Sequence, residues 1–232
     1  MTDDAPDYLK LLGPEPEWLE CSECHEKWSP NVVIDGVCQS CRLKNMPDPR
    51  HREKLEAVLH RIPARHLDAA TMADIPEAVA NWDHTKQWAI TFYGPNGSGK
   101  TWMATRLWVN TANDHRIWSA QWISAKEIAH RLRQEVRDNQ PASIVDELIA
   151  CGLLLIDDFR AVERNDGKAT AFVADELEFV LTQRDDHMRP TILTMDKPIS
   201  ELAPRLESRL SAPYALPILL DGTDRRKETP DG

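Results

Sequence analysis

Residues Gly94-Pro95-Asn96-Gly97-Ser98-Gly99-Lys100-Thr101 match the pattern G-x-x-x-x-G-K-[ST] in full. Glycines let such a loop fold so closely that consecutive backbone N–H groups point inward at phosphate oxygens. A helix starting at the end of the loop adds its positive N-terminal dipole. Lys100 then supplies a charge for the β and γ phosphates, and the Thr101 hydroxyl is suited to Mg²⁺. A phosphate cradle also needs an acid to hold the metal. The run Leu153-Leu154-Leu155-Ile156-Asp157-Asp158 provides two at the end of an aliphatic stretch. Asp157 would stand next to the magnesium. Asp158 would face the γ-phosphate and orient or deprotonate a water. The alternative for the two acids is a solvated strand end. Together these residues call for ATP and Mg²⁺ as ligands.

Four of the five cysteines form a second constellation, Cys21-x-x-Cys24 and Cys38-x-x-Cys41, separated by thirteen residues. Each pair puts two sulfurs on one tight turn, and two such turns close a tetrahedron around Zn²⁺. A closed four-sulfur site leaves no open position for catalysis. Its expected role is structural, in a segment too short to bury its own core. Two disulfides or four unligated thiols are the other readings. His25 either replaces one sulfur or stands by on the surface. Trp18 and Trp28 flank the first pair as packing, and Cys151 opens an apolar run as a core residue.

Elements must position these groups. Met46-Pro47-Asp48-Pro49 reads as a linker, dividing residues 1–46 (acidic head and cysteine module) from a basic connector over 47–66 and an α/β domain over 67–232. A short helix over 51–60 ends at Pro63. Strands are expected over 88–93, 116–123, 152–157, 191–195 and 215–220. Helices are expected over 100–110 and 169–184. Ser124-Ala125-Lys126-Glu127 is a capping box that opens a further helix with Ile128, Leu132 and Val136 on its apolar face. Strand–helix alternation of this kind gives a parallel sheet with helices on both faces.

The 232 residues, 41% hydrophobic and 28% charged, fit a globular chain of one domain plus an appendage. No apolar run is long enough for a membrane span. The acidic start lacks the apolar core of a secretory signal, so a cytoplasmic location is expected. The net charge of −10 argues against a protein coated in nucleic acid. The charge is uneven, however: residues 1–35 carry nine acids and two bases, and residues 36–66 carry seven bases and three acids. The acidic head either meets a basic protein surface or serves as a solvated tail.

Further along, the chain contains Arg61-Ile62-Pro63-Ala64-Arg65-His66, Leu154-Leu155-Ile156-Asp157-Asp158-Phe159, Arg189-Pro190-Thr191-Ile192-Leu193-Thr194, Leu206-Glu207-Ser208-Arg209-Leu210 and Asp221-Gly222-Thr223-Asp224-Arg225-Arg226. In this order, and with the phosphate loop, they resemble the DnaC/IstB-like helicase-loader group of AAA+ ATPases, from about residue 60 to residue 227. The resemblance implies a P-loop NTPase fold with a five-stranded parallel sheet and no C-terminal lid, preceded here by a small zinc-ribbon-like module. It implies ATP hydrolysis by an oligomer. A polar sensor is implied at the end of the fourth strand, where Thr194 and Asp196 fall. The family usually has Asn at the position of Asp196, and an ionised aspartate cannot donate a hydrogen bond to phosphate. Arg209 matches an arginine finger that completes a neighbour's site and so mediates self-association; the alternative is a surface arginine paired with Glu201 or Glu207. Arg205 stands one turn earlier, and Arg225 or Arg226 offers a weaker sensor.

The resemblance implies loading of a replicative helicase onto single-stranded DNA. An IstB-like transposition helper on duplex DNA and a nucleotide-gated adaptor with little hydrolysis are the alternatives. His130, Arg133 and Arg137 lie at helical spacing and either track phosphates or form a solvated face. Trp102, Trp108, Trp118 and Trp122 suit core packing or base stacking. The module over 1–46 is expected to dock on the helicase. The rival reading joins it with Arg42, Lys44, Arg50 and Arg52 as a DNA-binding ribbon.

Overall fold

The computed structural model describes residues 19–28, 33–34, 37–38, 41, 53, 56–67, 75–114, 116–139, 143–159, 168–211 and 213–221. The acidic head and the segment holding Arg225 and Arg226 lie outside them. Two short antiparallel hairpins come first. Strand β1 (Leu19–Glu20) pairs β2 (Lys27–Trp28), and β3 (Val33–Ile34) pairs β4 (Val37–Cys38). After a 3₁₀ turn at Ala64–His66, the order is α1 (Glu77–Ala80), β5 (Ala89–Tyr93), α2 (Lys100–Ala112), β6 (Ala120–Ser124), α3 (Ala125–Arg137), α4 (Ser143–Ala150), β7 (Leu153–Asp157), α5 (Lys168–Asp186), β8 (Thr191–Met195), α6 (Pro204–Arg209) and β9 (Ala215–Leu219).

The five longer strands form one parallel sheet in the order β6-β7-β8-β5-β9. Each side of the sheet has its own apolar layer, and β7 explains why. Its residues are all buried, Leu154 and Ile156 in one layer and Leu153 and Leu155 in the other. The first layer takes Ile128 and Leu132 from α3, Leu148 from α4, and Val173, Leu177 and Leu181 from α5. The second takes Leu107 and Trp108 from α2, with Val58 and Ile62 from the connector. An uninterrupted aliphatic strand is what a parallel sheet covered on both faces requires.

Sequence and structure part at three places. The second strand of the sheet begins at Ala120 rather than Arg116. The Asp114 carboxylate accepts from Arg116 N at 2.8 Å and from its Nε at 3.0 Å, and this local turn competes with strand pairing. Helix α4 lies outside the helices that the sequence pattern predicts, although Ile144, Val145 and Leu148 form its buried side. Val136 is 63% exposed, because α3 runs past the edge of its layer.

Arg184, on the last turn of α5, is fully buried. Its guanidinium donates to the carbonyls of Leu148 (2.7 Å), Cys151 (2.8 Å) and Pro190 (2.7 Å), and to Thr191 Oγ1 (2.8 Å). These acceptors lie on the last turn of α4, just before β7, and at the entry to β8. Burial lowers the Arg184 pKa to about 10, which leaves the cation intact at neutral pH. One side chain thereby satisfies three carbonyls, one on the last turn of α4 and two in the loops before β7 and β8. Among the described residues, no helix is long and apolar enough to cross a membrane.

Candidate functional site

The phosphate loop leaves β5 at Gly94 and enters α2 at Lys100. Gly94 has φ +143°, and a Cβ on it would lie 2.1 Å from the Leu220 carbonyl oxygen. Only glycine admits so close a backbone approach. Gly99, with φ +91°, is the N-cap of α2 and takes a left-handed conformation that a side chain would strain. The loop opens into a cleft of about 930 Å³ lined by Asn96, Gly97, Gly99, Lys100, Thr101, Trp102, Asp157, Asp158, Thr194, Met195 and Asp196, with Arg65 and His66 at its rim. Gly94, Pro95 and Ser98 form the rest of the loop, with Gly94 and Ser98 buried beneath it.

The chemistry lies at the C-terminal ends of β7 and β8. Thr101 Oγ1 donates to Asp157 Oδ1 at 2.7 Å. Thr194 Oγ1 donates to the same oxygen at 2.7 Å. The Thr194 hydroxyl also accepts the backbone N–H of Asp158 at 2.8 Å. Asp158 takes φ +54°, in the left-handed region that aspartate visits more readily than most residues. Thr194 therefore fixes both acids, one by its side chain and the other by its backbone. This role does not follow from the spacing of the chain, because it depends on β7 and β8 being neighbours. Lys100 Nζ donates to the carbonyls of Gly94 (2.8 Å) and Pro95 (2.6 Å), folding over its own loop. Asp196 is half-buried and lines the cleft one residue beyond β8.

The donor set fits Mg²⁺ and a triphosphate. A hydroxyl and a carboxylate stand in contact beside the loop glycines, as hard-oxygen coordination needs. Thr101 and Asp157 are the residues that would hold the ion.

Arg209 is placed elsewhere. Trp88, just before β5, donates its indole N–H to the Arg209 carbonyl at 3.3 Å. The five residues of β5 span about 16 Å, so Arg209 sits at the opposite end of the sheet from its own phosphate loop. Its guanidinium is in contact with Asp185 and lies 3.2 Å from Asp186, on the C-terminal turn of α5. The expected partners Glu201 and Glu207 are not its acceptors: Glu201 holds Lys197 at 2.7 Å. Arg205 pairs with Glu178 at 3.6 Å. His130, Arg133 and Arg137 are all exposed on α3. Trp108 is buried, Trp102 lines the cleft, Trp122 is half-buried and Trp118 is 63% exposed.

The cysteine module forms a candidate metal centre. The Sγ atoms of Cys21, Cys24, Cys38 and Cys41 lie within 4.8 Å of one another, and Cys24 and Cys38 are 3.8 Å apart. A tetrahedron with Zn–S bonds of about 2.3 Å has edges of about 3.8 Å. No disulfide joins these cysteines. Cys21 Sγ accepts the backbone N–H of Glu23 (3.4 Å) and of Cys38 (3.2 Å). Burial works against a charged sulfur there, yet the backbone donors draw the Cys21 thiol down to about 6. Burial and the neighbouring sulfurs push Cys41 up to about 12. Four clustered sulfurs cannot all ionise without a cation among them, so the set fits Zn²⁺. His25 points away to Glu20 at 3.2 Å and is 74% exposed, outside the tetrahedron.

The family model described as the bacterial DnaA ATPase domain matches residues 68–218. The chain belongs to the bacterial DnaA ATPase-domain family. Its AAA+ P-loop core is the one in which the cleft has just been described. The chain is 28% identical over 144 residues to the chromosomal replication initiator protein DnaA of Caulobacter vibrioides, covering 60% of this chain and 28% of that protein. It thus spans under a third of that relative's length. A solved structure of replication initiator DnaA bound to AMPPCP and single-stranded DNA shares the fold, with a TM-score of 0.51 and 17% identity, covering 77% of this chain and 52% of that one. A DnaC helicase loader structure aligns with a TM-score of 0.49 and 15% identity, covering 82% of this chain and 95% of that one.

Proposed function

We propose that this DnaA-family ATPase domain belongs to an ATP-hydrolysing, Mg²⁺-dependent loader of a replicative helicase on single-stranded DNA, working as an oligomer. The observation that carries the ATPase reading is the bonded set Thr101–Asp157–Thr194–Asp158 beside the phosphate loop. Lys100 leaves its loop carbonyls to meet the β and γ phosphates. Asp157 and Thr101 hold the Mg²⁺, which supplies charge neutralisation on the phosphates. Asp158 receives the proton of the attacking water.

Arg209, remote from its own loop, is free of any cis duty there and serves as the finger of a composite site between subunits. The Zn²⁺-bound module over 1–46 docks on the helicase. The motif order that resembles helicase loaders supports this assignment, and DnaA-family membership supports the link to replication.

The test is phosphate release by the full chain, with Lys100→Ala and Asp158→Asn abolishing it and a mixture of Lys100→Ala with Arg209→Ala recovering part of it. Capture of the purified helicase by the wild type, lost in Cys21→Ser/Cys24→Ser, tests the docking. Capture of a transposase instead would transfer the assignment to the transposition-helper reading.

One observation favours the nucleotide-gated adaptor as a second reading. The Thr194 hydroxyl is occupied by Asp157 and Asp158, which leaves Asp196, an acceptor-only carboxylate, as the sensor at the strand end. Equal turnover in the wild type and Asp158→Asn, with intact ATP binding, would select that reading.

A further inference from the structure

The segment joining the cysteine module to the ATPase core contributes to the nucleotide cleft. Arg61 Nη1 donates to the Ala120 carbonyl at the start of β6, at 3.3 Å. Ile62 is buried in the layer beneath α2. The 3₁₀ turn Ala64–His66 follows, and Arg65 and His66 line the same cleft as Lys100, Asp157, Asp158, Thr194 and Asp196.

A continuous set of contacts links this turn to the phosphate loop's helix. Arg65 Nε donates to His66 Nε2 at 3.0 Å, which makes Nε2 the acceptor and places the ring proton on Nδ1. The His66 ring lies 6.1 Å from the Trp122 ring, tilted by 33°. Trp122 Nε1 donates to Thr105 Oγ1 at 3.2 Å, and Thr105 Oγ1 donates to the Thr101 carbonyl at 2.7 Å.

Charge gives this placement its meaning. The cleft lining holds three carboxylates, from Asp157, Asp158 and Asp196, against Lys100 and Arg65 as its permanent cations. The residues that share the cleft with Arg65 at the strand ends are those that would face the terminal phosphate, not the base. A guanidinium presents several donors in a planar fork matched to phosphate oxygens. Arg209 cannot take this part in its own subunit, since it is held at the other end of the sheet.

We propose that Arg65 binds the terminal phosphate of ATP from within the same subunit, and that His66 positions its guanidinium. The inference rests on the ATPase reading and adds a residue to that site. It also makes the junction between the two parts of the chain sensitive to whether the γ-phosphate is present.

The experiment measures equilibrium binding of fluorescent ATP and ADP, with Mg²⁺, to the full-length chain and its Arg65→Ala, Arg65→Lys, His66→Ala and His66→Gln variants. Arg65 is exposed, so retained ADP binding serves as the check that each variant is folded. Arg65→Ala is expected to weaken ATP binding about tenfold, with ADP changed less than twofold. Arg65→Lys should recover part of the loss. His66→Ala should reproduce a smaller ATP-selective loss that His66→Gln, which keeps an acceptor, restores. Equal weakening of both nucleotides, or unchanged ATP affinity, overturns the proposal. A wild-type chain that binds neither nucleotide refutes the underlying ATPase reading instead.

Discussion

Replacing Thr194 by valine tests whether one hydroxyl organises the site. The substitution keeps shape and volume nearly constant and removes two hydrogen bonds in a position only 1% exposed. The bond to the Asp157 carboxylate has a charged acceptor and contributes about 1.5–3 kcal/mol. The Asp158 N–H loses its acceptor, and because Asp158 is half-buried this costs about 1 kcal/mol, the low end for an orphaned donor. Allowing for partial relaxation, the domain should lose about 3 kcal/mol. For a chain of this size that lowers the melting temperature by about 6–12 °C. Thr194→Ser gives up a methyl group alone and should cost about 1 kcal/mol. Urea unfolding of the two variants, with the slope unchanged, reads these values directly. Phosphate release should fall at least tenfold in Thr194→Val, because Asp157 then keeps Thr101 alone and the Asp158 backbone is no longer held. A valine variant within 1 kcal/mol of wild type, or a serine variant as damaged as the valine one, would show that the hydroxyl does not organise the acids.

Arg184→Leu should cost about 3–5 kcal/mol in urea unfolding, since three buried carbonyls lose their donor. Gly94→Ala should abolish ATP binding in a fluorescence titration, because its Cβ would require the Leu220 carbonyl to move. A zinc-selective chelator, with Mg²⁺ kept in excess, should withdraw one Zn²⁺ per chain by elemental analysis of the dialysed protein and leave phosphate release by the core unchanged. Hydrogen bonding from Arg116 holds the Asp114 carboxyl well below the usual carboxylate range. That contribution to stability is complete above the unfolded carboxylate pKa of about 3.9 and is lost as the pH falls through the lowered folded value. Asp114→Asn should therefore flatten the acid limb of a stability–pH curve and leave the slope above pH 6 unchanged.

Much of the site was legible because its information is local. The phosphate loop is eight consecutive residues, and β7 carries its burial on both faces in its own aliphatic run. The serine half of the capping box forms, with Glu127 N donating to Ser124 Oγ at 3.1 Å. The illegible part is long-range. Thr194 reaches the acids across 37 residues of sequence, and only the order of strands makes them neighbours. Asp185 and Asp186 meet Arg209 because α5 and α6 end side by side, and no spacing rule encodes that meeting. The two residues of the connector that face the cleft carry no periodic signal at all. Helix α4 is a different omission: its apolar residues were visible, but eight residues are few for a periodicity to be distinguished from a loop.

The contact between Gly94 and Leu220 has a mechanical side. Leu220 donates its N–H to the Tyr93 carbonyl at 2.8 Å, and its own carbonyl lies where a Gly94 side chain would be. Backbone meets backbone there, with no flexible side chain to absorb slack. A shift of Leu220 by a fraction of an ångström would therefore be felt directly by the amide array of the loop.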